Sequence, residues 1–461
     1  MEMTTQNNNN PNTYLLKRVI TKPFRQGITA LLSGLLLLGT AAHAQERSIT
    51  LDEAIKMGLE NSKTLKLSQA KIDQAVSQYN QAKDRALPTG TASFLYSFAA
   101  IPANRLELGP DQSFNLPKTA NANLGTATAE EVLYGGGRYR YARQSTNLLI
   151  QVARLDAEKD QEQIAINIVN EYYNLYKVLQ SKKVVDSNLK AIDIQIHQAQ
   201  RFFEQGLVTK NDVLRFQLQR ANVELNGIDL ENNRKIINYD LIVLLGVPES
   251  TQFTINQIND AGQSVAPLTS YLDTALSIRQ EVRQQDLRTR VADINIKNTE
   301  ANKLPTIAAS ASAYYLNTSA NPFPRSGKFI TPLTAGLAVN WNFGALWSNK
   351  NKVAEARIQR DQSKIDRDII TDNIKTEVNR NYQDYVRALD KIKLLQTSIN
   401  QATENNRILA SKYANSTASA TDRADAETLL YQAQTNLELA KADAGLAYYN
   451  LLKATGKLTN K

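Results

Sequence analysis

Side chains able to do nucleophilic or metal chemistry are almost missing from this chain. Among 461 residues there is no Cys, and the two histidines are His43 and His197. Without Cys there are no disulfides, no thiolate metal sites and no lipid anchor on an N-terminal Cys. His43 falls in a segment expected to be cleaved away, and His197 lies within Ile194-Gln195-Ile196-His197-Gln198, on a helix surface. A single imidazole is too little for a metal centre or an activated nucleophile. No Ser/His/Cys cluster, Gly-rich phosphate loop or paired-carboxylate motif accompanies it, so the sequence predicts no enzyme, no cofactor and no metal. What remains is charge held at particular places. Asp212 and Asp422 each follow a turn and open a helix, where the positive end of the helix dipole favours a carboxylate.

Those places are set by helices of unusual length. Residues 138–205 and 345–444 contain neither Gly nor Pro, although average usage puts a breaker at about one residue in eight. Gly costs about 1 kcal/mol and Pro about 3 kcal/mol inside a helix, so their absence reads as selection for very long helices. At about 1.5 Å per residue, a first leg of about 67 residues would reach about 100 Å. Ile164, Ile168, Tyr172, Leu175 and Leu179 form one seam; Ile370, Ile374, Val378, Tyr382, Tyr385, Leu389 and Ile392 form another. Such narrow stripes suit coiled-coil packing, while stretches like Asp361-Gln362-Ser363-Lys364 stay wet. A rod of this kind needs neighbours on two flanks and water on two faces, as a ring of helices around a wet lumen supplies. The returning helix expected at 209–245 and the helix at 65–86 together nearly match the outgoing one, and could stack end to end beside it.

Residues 1–44 read as a secretory signal. Lys17, Arg18, Lys22 and Arg25 form a basic region, Ile28 to Leu38 an apolar core, and Ala42-His43-Ala44 a cleavage site. The core is shorter than the roughly 20 residues that span a bilayer. The net charge of +9 falls to about +6 without this segment. The remaining charges alternate, as in Glu158-Lys159-Asp160, so nucleic acid is not an expected partner.

The rest is a duplication. Leu51-Asp52-Glu53-Ala54-Ile55 matches Leu272-Asp273-Thr274-Ala275-Leu276, and Leu87-Pro88-Thr89 matches Leu304-Pro305-Thr306. Tyr134-Gly135 corresponds to Phe343-Gly344, Tyr173 to Tyr382, Phe203 to Tyr413, Asp212 to Asp422 and Gly246 to Gly456. The first repeat is placed at 45–266, with a β-hairpin at about 90–134 and a helical hairpin at 138–246. The second is placed at 267–461, with a β-hairpin at about 306–343 and a helical hairpin at 345–456. In the second, Leu333, Ala335, Leu337, Val339, Trp341 and Phe343 alternate with small or polar residues. That period fits a membrane-barrel strand, and a sandwich strand shares it. In the first repeat the same register would turn Glu130 outward, which suggests a bulge or an interfacial position there. Trp341 and Trp347, with Tyr134 at the matching place, suit a membrane–water boundary.

In this order, twice over, these pieces resemble the TolC-like outer membrane channel family across essentially the whole mature chain. The resemblance rests on the repeated Leu-Asp-x-x-Ala and Leu-Pro-Thr segments, on Gly135-Gly136-Gly137-Arg138, and most sharply on Gly206-Leu207-Val208-Thr209-Lys210-Asn211-Asp212-Val213-Leu214. It implies a mainly α fold with a small transmembrane β part. The duplicated helical-hairpin and β-hairpin unit would form a trimeric α-barrel and a shared twelve-stranded β-barrel. It implies an exit duct of a tripartite efflux or type I secretion system, in the outer membrane with a long periplasmic extension. The partners would be outer membrane lipid, a periplasmic adaptor and an inner-membrane pump. It also implies roles for particular residues. Gly206, Leu207, Val208 and Thr209, with Ser416, Thr417, Ala418 and Ser419, would be periplasmic tips that meet the adaptor. Asp422 and Asp425 match acidic-ring positions, and Asp212 and Tyr413 match two positions of a polar lock. Ala418 stands where the lock's arginine would be, with Arg423 close by. The competing reading is a periplasmic coiled-coil adaptor or scaffold without a barrel, against which the duplicated strands and paired tryptophans argue.

Overall fold

The structure, a computed structural model, describes residues 46–459 except 101, 104, 116–117, 256–257, 259–264 and 319–328. The expected leader at 1–44 lies outside the described residues.

The chain begins with β1 (Glu46–Ser48), α1 (Leu51–Asn61) and α2 (Lys63–Asp84). A long pair, β2 (Thr89–Ala100) and β5 (Thr119–Tyr134), follows, with β3 (Arg105–Gly109) and β4 (Gln112–Asn115) in its loop. Then α3 (Arg138–Glu204) runs out for 67 residues and α4 (Lys210–Leu245) returns for 36. After β6 (Gln252–Thr254) the order repeats, with α5 (Leu268–Ile278), α6 (Gln280–Glu300), β7 (Thr306–Thr318), β8 (Phe329–Ile330) and β9 (Leu333–Asn340). Finally α7 (Ala345–Ala414) runs 70 residues and α8 (Ala420–Ala454) returns for 35. The outgoing helices are unbroken because nothing in them interrupts the backbone ladder.

Four rods lie side by side. On one flank of α3, Ser68 Oγ on α2 donates to Asp160 (2.6 Å), and farther along Arg220 on α4 pairs with Asp193 (2.7 Å). α2 and α4 therefore share that flank, one after the other, as their lengths of 22 and 36 residues against 67 require. On the opposite flank α6 meets α3 through Gln284 and Asp156 (2.7 Å), and α8 through Lys177 and Asp443 (2.6 Å). α7 closes the row beyond α6 and α8. At the waist, α1 and the parallel pair of β1 and β6 pack on an apolar cluster around Tyr172, Tyr173, Leu175, Leu245 and Phe253. Gly445 on α8 lets the helices approach there: a Cβ at that position would stand 2.5 Å from the ring of fully buried Tyr173.

The far ends of the rods are closed by two matching turns. Gly206 (φ +72°) and Ser416 (φ +57°) both adopt the left-handed conformation. Leu207 N then donates to Phe202 O, and Thr417 N to Lys412 O, each at 2.8 Å. Thr209 and Ser419 cap the returning helices in reciprocal boxes with Asp212 and Asp422.

At the near end, β2, β5, β7 and β9 form an antiparallel sheet in that order, with β8 also on β7. Cross-strand register separates its two faces. One carries Phe94, Tyr96, Ala127, Ala129, Ala311, Ala313, Leu337 and Val339; the other carries Ser93, Thr126, Thr128, Ser310, Ser312 and Thr334. Hydroxyls on the second face bond across strands, as Ser93 to Thr126 (2.6 Å) and Thr128 to Ser312 (3.0 Å).

The bulge expected near Glu130 is present, and one strand end is corrected. Glu130 lies opposite Thr89 and Ser310, on the hydroxyl-rich face rather than the apolar one. The cause is a register shift between Val132 and Tyr134, since one extra residue exchanges the faces of everything before it. Glu131 takes the apolar side instead, near the end of the strand. β9 also stops at Asn340, short of Phe343, because the Ala345 N–H to Asn342 O bond (3.0 Å) already turns the chain into α7.

Two predictions follow from these close points. Gly445→Val should cost about 2–3 kcal/mol through overpacking against Tyr173, read as a lower unfolding midpoint in detergent. At the tips, Ser416→Gly should slow local hydrogen exchange and Gly206→Ser should speed it, by about 1 kcal/mol each, because only a Cβ makes that backbone strained.

Candidate functional site

Three zones along the rods carry the residues that chemistry singles out. The first is the junction of sheet and helices. Trp341 Nε1 donates to Lys303 O at 3.0 Å, which fixes the indole while leaving its ring 49% exposed. Phe343 lies edge-on between Trp341 (6.4 Å) and Trp347 (6.1 Å), and both neighbours remain open to the outside. Tyr134 is likewise exposed at the end of β5. Exposed aromatics with one satisfied polar edge suit the depth where lipid headgroups meet acyl chains. The two tryptophans are linked through Phe343, and Tyr134 lies opposite Ile307 at the start of β7.

The second zone is the tip. Leu207 is exposed, and Val208 and Ala418 are partly covered, among the small residues of the two turns. The turns lie at one end because all four helices meet in a cluster of Ala199, Val213, Phe216, Tyr413, Ala420 and Ala424. Tyr413 packs between Phe202 (5.7 Å) and Phe216 (5.9 Å). Its hydroxyl is buried, with no hydrogen-bond partner among the described residues. Burial first, and the charge of Asp212 second, push its pKa up, so it stays neutral. Asp212 Oδ2 accepts from Thr209 N and Oγ1, both at 2.8 Å. Asp422 Oδ2 accepts from Ser419 N (3.1 Å) and Oγ (2.8 Å), and these bonds lower its pKa. Both carboxylates therefore have a local capping task within one protomer. Asp425 lies exposed one turn on.

The third zone was not read from the sequence. Arg423, noted above as close to Ala418, is buried. It bonds to Asn406 and, at 3.0 Å, to Glu427 Oε2. Glu427 is buried and also accepts from Asn188 (3.1 Å) and Gln195 (3.0 Å) on α3. A second cluster sits at the waist: Arg279 meets Glu377 (2.5 Å) and Glu281 (2.8 Å), and Lys453 meets Glu377 (2.9 Å). The available signal was polar residues at seam spacing, as in Asn188, Ile192 and Gln195. Among the described residues no group of His, Asp or Glu has the geometry to hold a metal ion, and no helix is long and apolar enough to cross a membrane.

Comparison with known proteins agrees with this architecture. The outer membrane efflux protein family matches residues 54–247 and again 271–457. The outer membrane efflux protein BepC of Brucella suis biovar 1 (strain 1330) is 22% identical over 440 residues, covering 93% of this chain and 89% of that relative. Among solved structures, the outer membrane protein VceC of Vibrio cholerae superposes with a TM-score of 0.71 at 16% identity, over 88% of this chain and 96% of that one. The CmeC outer membrane channel of Campylobacter jejuni gives 0.68 at 15%, over 88% and 86%. These matches carry the mainly helical, duplicated fold, and the family match favours a channel over an adaptor. With both halves matched, the chain belongs to the outer membrane efflux protein family.

Proposed function

We propose that this outer membrane channel works as a homotrimer, a passive exit duct served by a periplasmic adaptor and an inner-membrane pump. In this reading the leader 1–44 is removed, and the repeats 45–266 and 267–461 each supply one β-hairpin and one helical hairpin. The observation that carries it is the sheet: one apolar face, one hydroxyl-rich face, and β2 and β9 ending it on either side. Unpaired backbone groups cost several kcal/mol each in lipid, so an open four-stranded sheet cannot stay there alone. Pairing β2 of one copy with β9 of the next removes every edge and gives a twelve-stranded barrel.

The helical rods support the same closure. On one outer flank, α4 exposes Leu214, Leu218, Leu225, Ile228 and Tyr239; α7, at the other end of the row, exposes Leu394 and Ile408 along the same tipward length, and Ile358, Ile365 and Ile369 nearer the sheet. Stripes of this kind at the two ends of the row suit one copy meeting the next. At the far end, the turns at Gly206–Thr209 and Ser416–Ser419 offer the adaptor an exposed surface of small residues around Leu207. Three copies each of Asp422 and Asp425 around the narrowed lumen would repel anions and attract cations. Tyr413 and Asp212 would hold the closed tip from behind, through packing and capping.

Purified in detergent, the protein should run as a heat-dissociable trimer and give discrete conductance steps in planar bilayers. Cys substitutions at Leu207 and Thr417 should cross-link to an adaptor in whole cells. A monomer that stays in solution without detergent and gives no steps would sink this reading.

A further inference from the structure

One cavity in the helical wall is not used by the export reading. It has a volume of about 560 Å3 and lies just below the sheet, between Gln81 of α2 and Arg85 at its C-terminus, Tyr141 and Ser145 of α3, and Arg288 and Asn295 of α6. Which side of the wall it occupies can be worked out. Arg138, the first residue of α3, donates to Thr306 Oγ1 (3.2 Å), and Thr306 belongs to the hydroxyl-rich face of the sheet with Ser310 and Ser312. Residues 141, 142 and 145 follow Arg138 at three, four and seven positions, so they share its side of α3. The cavity thus faces the same space as the Ser and Thr face, which is the lumen of the proposed duct.

The two sides of α6 handle charge differently. On the side turned away from the cavity, ion pairs join neighbouring rods: Arg367 with Asp286 (2.6 Å), Arg360 with Asp293 (3.5 Å) and Arg283 with Glu158 (3.6 Å). Arg85 and Arg288 on the cavity side are exposed, and among the described residues neither guanidinium meets a carboxylate within the 4.0 Å of an ion pair. The lining holds Arg85 and Arg288 and no carboxylate, and its Gln359 donates from Nε2 to Glu355 at 3.4 Å. Two guanidiniums and no carboxylate in the lining make the cavity wall positive. The side-chain amides and hydroxyls around them are neutral donors and acceptors.

We propose that this cavity is a weak docking site for anionic, hydroxyl-bearing cargo such as a phosphorylated or carboxylated sugar. Guanidinium groups bind carboxylate and phosphate oxygens in pairs, and Gln81, Asn295, Tyr141 and Ser145 match sugar hydroxyls. The size falls within the range of small-molecule sites, and the open lumen side keeps the hold weak, as conduction demands. One such site per protomer would form a cationic belt above the acidic tip.

This inference rests on the duct reading, and bilayer recordings separate the two. Glucose 6-phosphate is added to single channels, with glucose as the neutral control. Glucose 6-phosphate should block the current and glucose should not. The double variant Arg85→Gln/Arg288→Gln should weaken that block by about tenfold or more. Arg85→Lys/Arg288→Lys keeps the charge but not the planar fork, and should weaken it in part. Arg290→Gln, on the opposite side of α6, should leave the block unchanged, with all variants forming trimers on unheated gels. Equal block by glucose, or full block retained in the Gln or Lys pair, overturns the docking site while the steps themselves uphold the duct. Absence of any conductance overturns both.

Discussion

A helix of 67 or 70 residues has no globular core to disappear into, and everything else here answers that constraint. Each rod can hide only a stripe, so it must take a neighbour on each flank and leave two faces wet. α3 meets this requirement within one chain, with α2 and α4 on one side and α6 and α8 on the other. α7 has α6 and α8 on one side only, and the outer flank of α4 likewise shows leucines to the outside. The row is therefore a segment of something larger. The same incompleteness appears in the sheet, whose edge strands sit above the edge rods. Two unrelated kinds of surface, backbone edges and apolar stripes, are left open at the two ends of the row, and the proposed trimer would cover both.

The waist shows why the rods do not slide. A coiled-coil seam made only of aliphatic residues would tolerate a shift by one turn. Here Tyr173 fills the space that Gly445 leaves, and this fit exists at one register only. Glu427 adds a polar check lower down, because it takes hydrogen bonds from Asn188 and Gln195 on a different rod. A buried carboxylate that loses its donors is destabilising by several kcal/mol. Slippage would therefore be punished in two ways, by overlap at one level and by an unmatched charge at another.

Most of this was legible in the sequence where the signal is local. The long helices showed as missing breakers, the turns as Gly206 and the residues before Asp212 and Asp422, and the duplication as paired spacings. What stayed hidden depends on a third dimension. The charge of Glu130 was enough to suggest a bulge, but its position at Leu133 shows only once β5 is laid against β7. Arg423 has Glu427 one turn on, but nothing in its neighbourhood of sequence announces its other partner, Asn406, or the Asn188 and Gln195 that donate to Glu427. Each of those partners is on another rod, so only the packing of rods creates the cluster.

The two repeats solve one problem with different chemistry. Where the first returning helix ends, Asn61 Nδ2 donates to Leu245 O (2.7 Å), beside Gly246 in the left-handed conformation. Where the second ends, Arg279 donates to Ala454 O (3.2 Å), beside Gly456 in the same conformation. A neutral amide needs nothing further, so the first junction is surrounded by the large apolar cluster of Tyr172, Leu241 and Phe253. A buried guanidinium must be compensated, and Glu281 and Glu377 do so, with Lys453 balancing Glu377 in turn. Burial alone would lower the pKa of Arg279, and the two carboxylates outweigh it and hold the charge. One junction is thus kept by contact area and the other by matched charge, and only the first could be met by substituting one aliphatic residue for another.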